Sequence, residues 1–146
     1  MSSSHSVIAD LHVPFRPVAQ KRHRHTRAGR TYDPCVQEKA EFLRLACLCT
    51  CPPSIPPLGP ISCTMRFVFA RPRSHCNSAG KLRRSAPRQH IYKPDTDNLA
   101  KFVLDALNGV FYKDDSQIYK LSIEKKYGEE DSVSVRLQSC AIAIRQ

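Results

Sequence analysis

No run of about 18 apolar residues, the length a helix needs to cross a bilayer, occurs in the chain, so a helical span is excluded and a soluble protein is expected. The opening MSSSHSVIAD lacks the character of a secretory signal, and none of the seven cysteines forms a C-x-x-C pair. An odd count without paired spacing speaks against a disulfide framework or a zinc site. Cys35, Cys47, Cys49, Cys51, Cys63, Cys76 and Cys140 therefore read as reduced, partly buried thiols of a protein in a reducing intracellular compartment. The neighbours His75 and Cys76 are too few for a metal site.

Acidic residues are scarce through most of the chain. Residues 1–93 hold 16 Lys and Arg against 4 Asp and Glu, whereas residues 94–146 hold 7 against 9, so the net charge of +10 divides into +12 and −2. A basic body beside an acidic part suits a nuclease, since the body attracts phosphates and the carboxylates hold a metal. Binding of ribosomal RNA or another polyanion would need the same charge, so charge alone does not separate these. With 146 residues there is room for one domain and one modest core.

The acids concentrate between Lys93 and Gln117, KPDTDNLAKFVLDALNGVFYKDDSQ. Leu99, Phe102, Val103, Ala106, Leu107 and Val110 recur at steps of three and four, which is one face of an amphipathic helix. Pro94-Asp95-Thr96-Asp97 reads as its start and Asn108-Gly109 as its end. Asp97, Lys101 and Asp105, spaced by four, form a stripe away from the apolar face, with Lys101 between two carboxylates. Beyond Gly109, Asp114 and Asp115 are near enough in sequence to fold back beside the helix, so three or more carboxylates are expected to converge.

Converging carboxylates repel and call for a cation. Mg²⁺ suits them, because it prefers oxygen ligands and takes one or two carboxylates with water and phosphate in its other positions; Mn²⁺ accepts the same donors. Such a metal polarises a phosphoryl oxygen and generates a hydroxide nucleophile near neutral pH, and a nearby lysine stabilises the developing charge. The same residues also fit a capped, solvated helix face with ion pairs at spacing four. An EF-hand is excluded, because Leu99 and Lys101 stand where oxygen ligands belong. A nucleotide-sugar transferase with a D-x-D site is disfavoured by the length and by the missing strand–helix repeat of a nucleotide-binding fold.

The run PDTDNLAKFVLDALNGVFYKDDSQI resembles the signature of the RusA family of Holliday-junction resolvases, in which a D-x-D-N-L-x-K helix leads through D-A-L to a D-D-x-Q-V/I turn. The resemblance is tight over residues 93–127 and looser over most of the chain. It implies that Asp95, Asp97 and Asp115 are metal-binding catalytic acids and that Lys101 is the catalytic lysine. Asp105 and Asp114 match family positions of less defined role. Also implied is an endodeoxyribonuclease that cuts four-way DNA junctions in recombination and repair, as a homodimer whose two sites make paired cuts. The other class in contention is a non-catalytic nucleic-acid-binding protein that keeps the fold; the four matched catalytic positions argue against it.

The rest of the chain frames this helix. Val7, Ile8, Leu11, Val13 and Phe15 alternate imperfectly, as a first strand ending at Pro14. The loop 16–33 carries Arg16, Lys21, Arg22, Arg24, Arg27 and Arg30 with His23 and His25; its guanidinium groups can fork onto phosphate oxygens, while Tyr32 can stack on a base or sugar. It resembles the family's P-V-P-K-x-R-x-R…G-R-x-Y-x-P run, with Ala19 in place of the second proline; a disordered basic arm or localisation signal is the alternative. A helix from Pro34 to about Leu48 follows, then the Pro-rich connector 52–60 and a strand from Ile61 to Ala70. The basic stretch 71–93 is expected to be a flexible loop, longer than the family's turn. Ile118 to Lys126 and a partner containing Val133, Val135 and Leu137 are expected to pair as a hairpin, with Ala141 to Ile144 extending it. The expectation is an α+β domain in the order strand, helix, strand, helix, strand, strand, with the helices packed on one mixed sheet.

Overall fold

The computed structural model describes residues 4–140. Its elements are β1 (His5–Val13), β2 (Arg24–His25), β3 (Thr31–Tyr32), α1 (Val36–Cys49), β4 (Ile61–Ala70), α2 (Thr96–Leu107), β5 (Ile118–Gly128) and β6 (Ser132–Cys140). This is the expected α+β domain, with the addition of a short β2–β3 ribbon inside the basic loop. The four long strands form one mixed sheet in the order β1-β6-β4-β5.

The order corrects one expectation. β5 and β6 are not hairpin partners, because β4 lies between them, parallel to β5 and antiparallel to β6. Their link, Glu129 to Asp131, instead crosses the end of β4, where the Ala70 N–H donates to Asp131 Oδ1 at 2.8 Å and the Arg71 N–H to the Gly128 carbonyl at 3.0 Å. A parallel β4–β5 pair needs a crossover, and α2 provides it. Alternation fixes which face a strand buries but not which neighbour it pairs with, so the sequence pattern is the same in both arrangements. The expected extension at Ala141 to Ile144 lies outside the described residues.

One face of the sheet carries both helices. Ala9, Leu11 and Val13 of β1, Cys63, Met65 and Phe67 of β4 and Val133, Val135 and Leu137 of β6 are buried against Phe42 and Ala46 of α1 and Leu99, Phe102, Val103 and Leu107 of α2. Phe15 leaves β1 to join Phe42 and Phe102, with ring centroids 5.3 to 6.0 Å apart. A register shift between Val7 and Ala9 explains the broken alternation at the start of β1. The other face is polar: Arg66 pairs with Glu124 at 3.2 Å and His12 Nδ1 lies 2.9 Å from Ser134 Oγ.

The stretch 71–93 has more structure than its composition suggested. It forms a single 3-10 turn at Arg73–His75, a bridge between Cys76 and Leu82, and a second bridge between Gln89 and Lys126 of β5. Its own apolar content is low, but His75 and His90 dock on rings supplied by β4 and β5, Phe69 and Tyr127. All seven cysteines are free thiols. Burial pushes the Cys63 thiol up to about 12. No helix among the described residues is long and apolar enough to cross a membrane.

Candidate functional site

Helix α2 carries acids at both ends. Its apolar stripe, Leu99, Phe102, Val103, Ala106 and Leu107, is buried, which turns Asp97 and Lys101 to solvent on the opposite side. Asp95 is the N-cap: its carbonyl accepts from the Leu99 N–H at 3.1 Å, yet its carboxylate makes no capping hydrogen bond. Asp97 lies in the first turn and Lys101 one turn on, and none of these three side chains enters an ion pair among the described residues. The reading of a capped face laced with pairs at spacing four is therefore not what the fold makes of them.

The chain around Asp95 is well held. The Lys93–Pro94 peptide is cis, and Lys125 Nζ of β5 donates to the carbonyls of Tyr92 at 2.7 Å and Pro94 at 2.8 Å. On the other side the Gln20 N–H donates to the Asn98 carbonyl at 2.9 Å. Ala19, Lys93, Pro94, Asp95 and Asn98 line a cleft of about 420 Å³. The basic loop is thereby rooted beside Asp95. From that root Lys21, Arg22, Arg24, Arg27 and Arg30 all project exposed, on a ribbon in which Arg24 pairs with Tyr32 and His25 with Thr31.

At the far end of α2, Asp105 faces α1 instead of Lys101. Lys39 Nζ of α1 lies 3.3 Å from Asp105 and 2.6 Å from Asp33, whose other oxygen accepts from the Cys35 N–H and Gln20 Nε2, both at 2.9 Å. Burial acts to raise the Asp33 pKa, but the hydrogen bonds from Lys39, Cys35 and Gln20 outweigh it and bring the value down to about 2. Burial likewise pulls Lys39 down, and its two carboxylate partners more than reverse this.

Asp114 and Asp115 fold back beside Asp105, as the sequence suggested. Asp114 caps the 3-10 turn Asp115–Gln117, accepting from the Ser116 hydroxyl at 2.8 Å; that bond and one shared with Asp115 lower its pKa. Asp115 is pushed upward, first by burial and then by Asp114 and Asp105. Burial, followed by the same acids and Cys63, raises Tyr112, whose hydroxyl donates to the Leu104 carbonyl. Gln117 pins this turn: its Oε1 accepts from the Lys113 and Asp114 N–H groups at 2.8 and 3.0 Å, and its Nε2 donates to the Pro57 and Gly59 carbonyls at 2.9 Å.

Asp95, Asp97 and Asp115 do not gather around one point within the chain. Asp97 and Asp105 are eight residues apart, about 12 Å along the axis, and Asp115 stands at the Asp105 end. β5 then returns from Ile118 to Lys125, about 23 Å at strand rise, before Lys125 reaches Pro94. Among the described residues no three His, Cys, Asp or Glu side chains are placed to hold one ion. The expected convergence is corrected by the length of α2, which keeps its two acidic ends apart. Asp95 and Asp97 remain a pair of unengaged hard-oxygen donors, a set that fits Mg²⁺ with water and phosphate completing its shell.

Residues 14–138 match the family described as Endodeoxyribonuclease RusA. The chain belongs to the RusA endodeoxyribonuclease family. It is also 39% identical over 82 residues to the uncharacterized protein YqaN of Bacillus subtilis strain 168, a match covering 55% of this chain and 58% of that one. The RusA match takes in both acidic ends of α2, the basic ribbon, β4, β5 and nearly all of β6, but not β1, and Asp95, Asp97, Lys101 and Asp115 all lie within it.

Three features of the site escaped the sequence. Lys39 and Asp33 look like ordinary solvated charges until α1 is packed on α2. Gln117 stood in the family pattern without a role and proves to tie the acidic turn to the Pro-rich connector. Asp95 was named by the D-x-D resemblance, but its carboxylate, unspent on capping, appears only in three dimensions.

Proposed function

We propose that the protein is a Mg²⁺-dependent, structure-selective endodeoxyribonuclease that resolves four-way (Holliday) DNA junctions by paired phosphodiester hydrolysis, in recombination and repair. The observation that carries this is the N-terminal end of α2, where Asp95 and Asp97 are free of capping and pairing, with Lys101 a turn away and the root of the basic ribbon alongside. Mn²⁺ can take the place of Mg²⁺. The seven free thiols support an intracellular, reducing location.

Asp95 and Asp97 hold the metal, which when bound lowers the charge barrier at the phosphate and the pKa of the attacking water. Lys101 faces the same solvent side and stabilises charge that develops on the phosphoryl oxygens. Lys21, Arg22, Arg24, Arg27 and Arg30 grip phosphates of the junction arms, which positions the strand without reading its sequence. Asp115, in the turn beside the C-terminal end of α2, is too far from the pair to join it in its own chain. The reading therefore requires a homodimer in which Asp115 is supplied by the second copy, and twofold symmetry gives two such sites for two cuts.

A second reading, a non-catalytic nucleic-acid-binding protein of the same fold, draws on that separation of the acids. Incubating a four-way junction with the protein and Mg²⁺ or Mn²⁺ decides between them. Metal-dependent paired cuts support the resolvase, and tight binding with no cutting under either metal selects the binding protein.

A further inference from the structure

The segment leading into Asp95 carries a cluster of rings with no task in the chemistry above. His90 stacks on Phe69 with centroids 3.9 Å apart and 18° between planes, leans on Tyr127 at 5.0 Å and meets Tyr92 nearly edge-on at 6.3 Å. With Arg16, Ala70, Pro72 and Asp131, whose carboxylate is held by the Ala70 N–H at 2.8 Å, these rings wall a cavity of about 490 Å³. That size lies in the usual range for small-ligand sites, about 300–1,000 Å³.

The platform is fixed and one ring is free. His90 is 9% exposed and Tyr92 67%. Behind them the His90 N–H donates to the Lys125 carbonyl at 3.3 Å, the Tyr127 N–H to the Arg88 carbonyl at 2.9 Å, and Lys125 Nζ to the Tyr92 carbonyl at 2.7 Å. Burial, and then the Lys125 charge, hold the His90 imidazole below its usual range, so the platform is uncharged at neutral pH. From Tyr92 to Asp95 the chain spans at most about 10 Å. Tyr92 on the cavity wall is thus close along the chain to Asp95, and the exposed Arg16 stands on the same wall.

We propose that this ring-lined cavity is a stacking subsite for an unpaired nucleobase next to the cut phosphodiester, with Tyr92 as the ring that closes on the base and Arg16 as the contact to its phosphate. Neutral rings around a slot, with a cation beside it, hold single-stranded bases whatever their identity, because each base offers a flat face. Bases stacked within a continuous duplex have no free face to offer. The subsite therefore favours branch points, where stacking is interrupted and a base is more easily drawn out of its pair, over continuous duplex. This rests on the nuclease reading for the position of the cut, but base capture itself is read without cutting.

The test uses the full chain carrying Asp97→Asn and a four-way junction with 2-aminopurine placed in turn at each nucleotide flanking the branch point. A fluorescence change on binding at one or two positions is expected. Adding Tyr92→Ala should abolish it and weaken junction binding about 5- to 100-fold, with matched duplex binding little changed, and Tyr92→Phe should keep both. No change at any position, a signal that survives Tyr92→Ala, or equal loss on junction and duplex would overturn the subsite. Wild-type cutting of the same junction is scored in parallel: its absence sinks the nuclease reading, while the fluorescence still judges the subsite.

Discussion

Lys125 Nζ donates to the Pro94 carbonyl at 2.8 Å, so the inner end of β5 holds the residue that precedes Asp95. Ten residues earlier on the same segment stands Asp115, beside the opposite end of α2. One strand therefore measures out the separation between the two acidic groups that the family signature treats as a set.

This separation gives the first prediction. Asp97→Asn and Asp115→Asn are each expected to abolish junction cutting as homodimers. Co-expressed, they form heterodimers in which one site carries both changes and the other carries none, so nicking should return. No recovery in a verified heterodimer would place all the acids of a site in one chain.

Lys39 gives the second. Lys39→Ala leaves Asp33 and Asp105 facing each other in a partly buried place, and a loss of about 1–3 kcal/mol is expected, less than for a fully buried pair because all three side chains keep some exposure. Urea unfolding at neutral pH measures it. A loss below about 0.5 kcal/mol would mean that the clamp between α1 and α2 is no more than a surface pair.

The third concerns pH. Asp33 ionises at about 2 in the folded chain against an ordinary value of 3.8 for an unperturbed aspartate. A depressed carboxylate stabilises the fold fully above about pH 4, and that contribution is lost as pH falls from there towards 2, on the order of 1–2 kcal/mol. Asp33→Asn should already lack this contribution at neutral pH and show a correspondingly smaller fall in stability between pH 5 and 3. An unchanged fall would assign the acid sensitivity to other groups.

Much of this architecture was legible before folding. The stripe from Leu99 to Leu107 dictated α2, and the alternation in β4 and β6 dictated their buried faces, because burial imposes its period directly on sequence. Pairing order was not legible: Val133, Val135 and Leu137 read the same beside β4 as they would beside β5. Nor was the partner of Asp105, since spacing four pointed to Lys101, while the packing of α1 brought Lys39 instead. The stretch 71–93 misled through its composition, because the rings that order His75 and His90 come from β4 and β5.

The fourth prediction is for the ribbon. Arg24→Ala with Arg27→Ala should weaken binding to junctions of any sequence alike and reduce the slope of log affinity against log salt by about 2. An unchanged slope would remove these two side chains from the phosphate contacts.

The central claim is tested most directly by cleavage of a synthetic four-way junction beside a linear duplex of matched sequence, with Mg²⁺ or with chelator, for the wild type and Asp97→Asn. Paired symmetric cuts in the junction that need both the metal and Asp97, with the duplex left whole, are the expected result. Junction binding without cutting under Mg²⁺ and Mn²⁺, or cutting that Asp97→Asn leaves intact, would contradict the account.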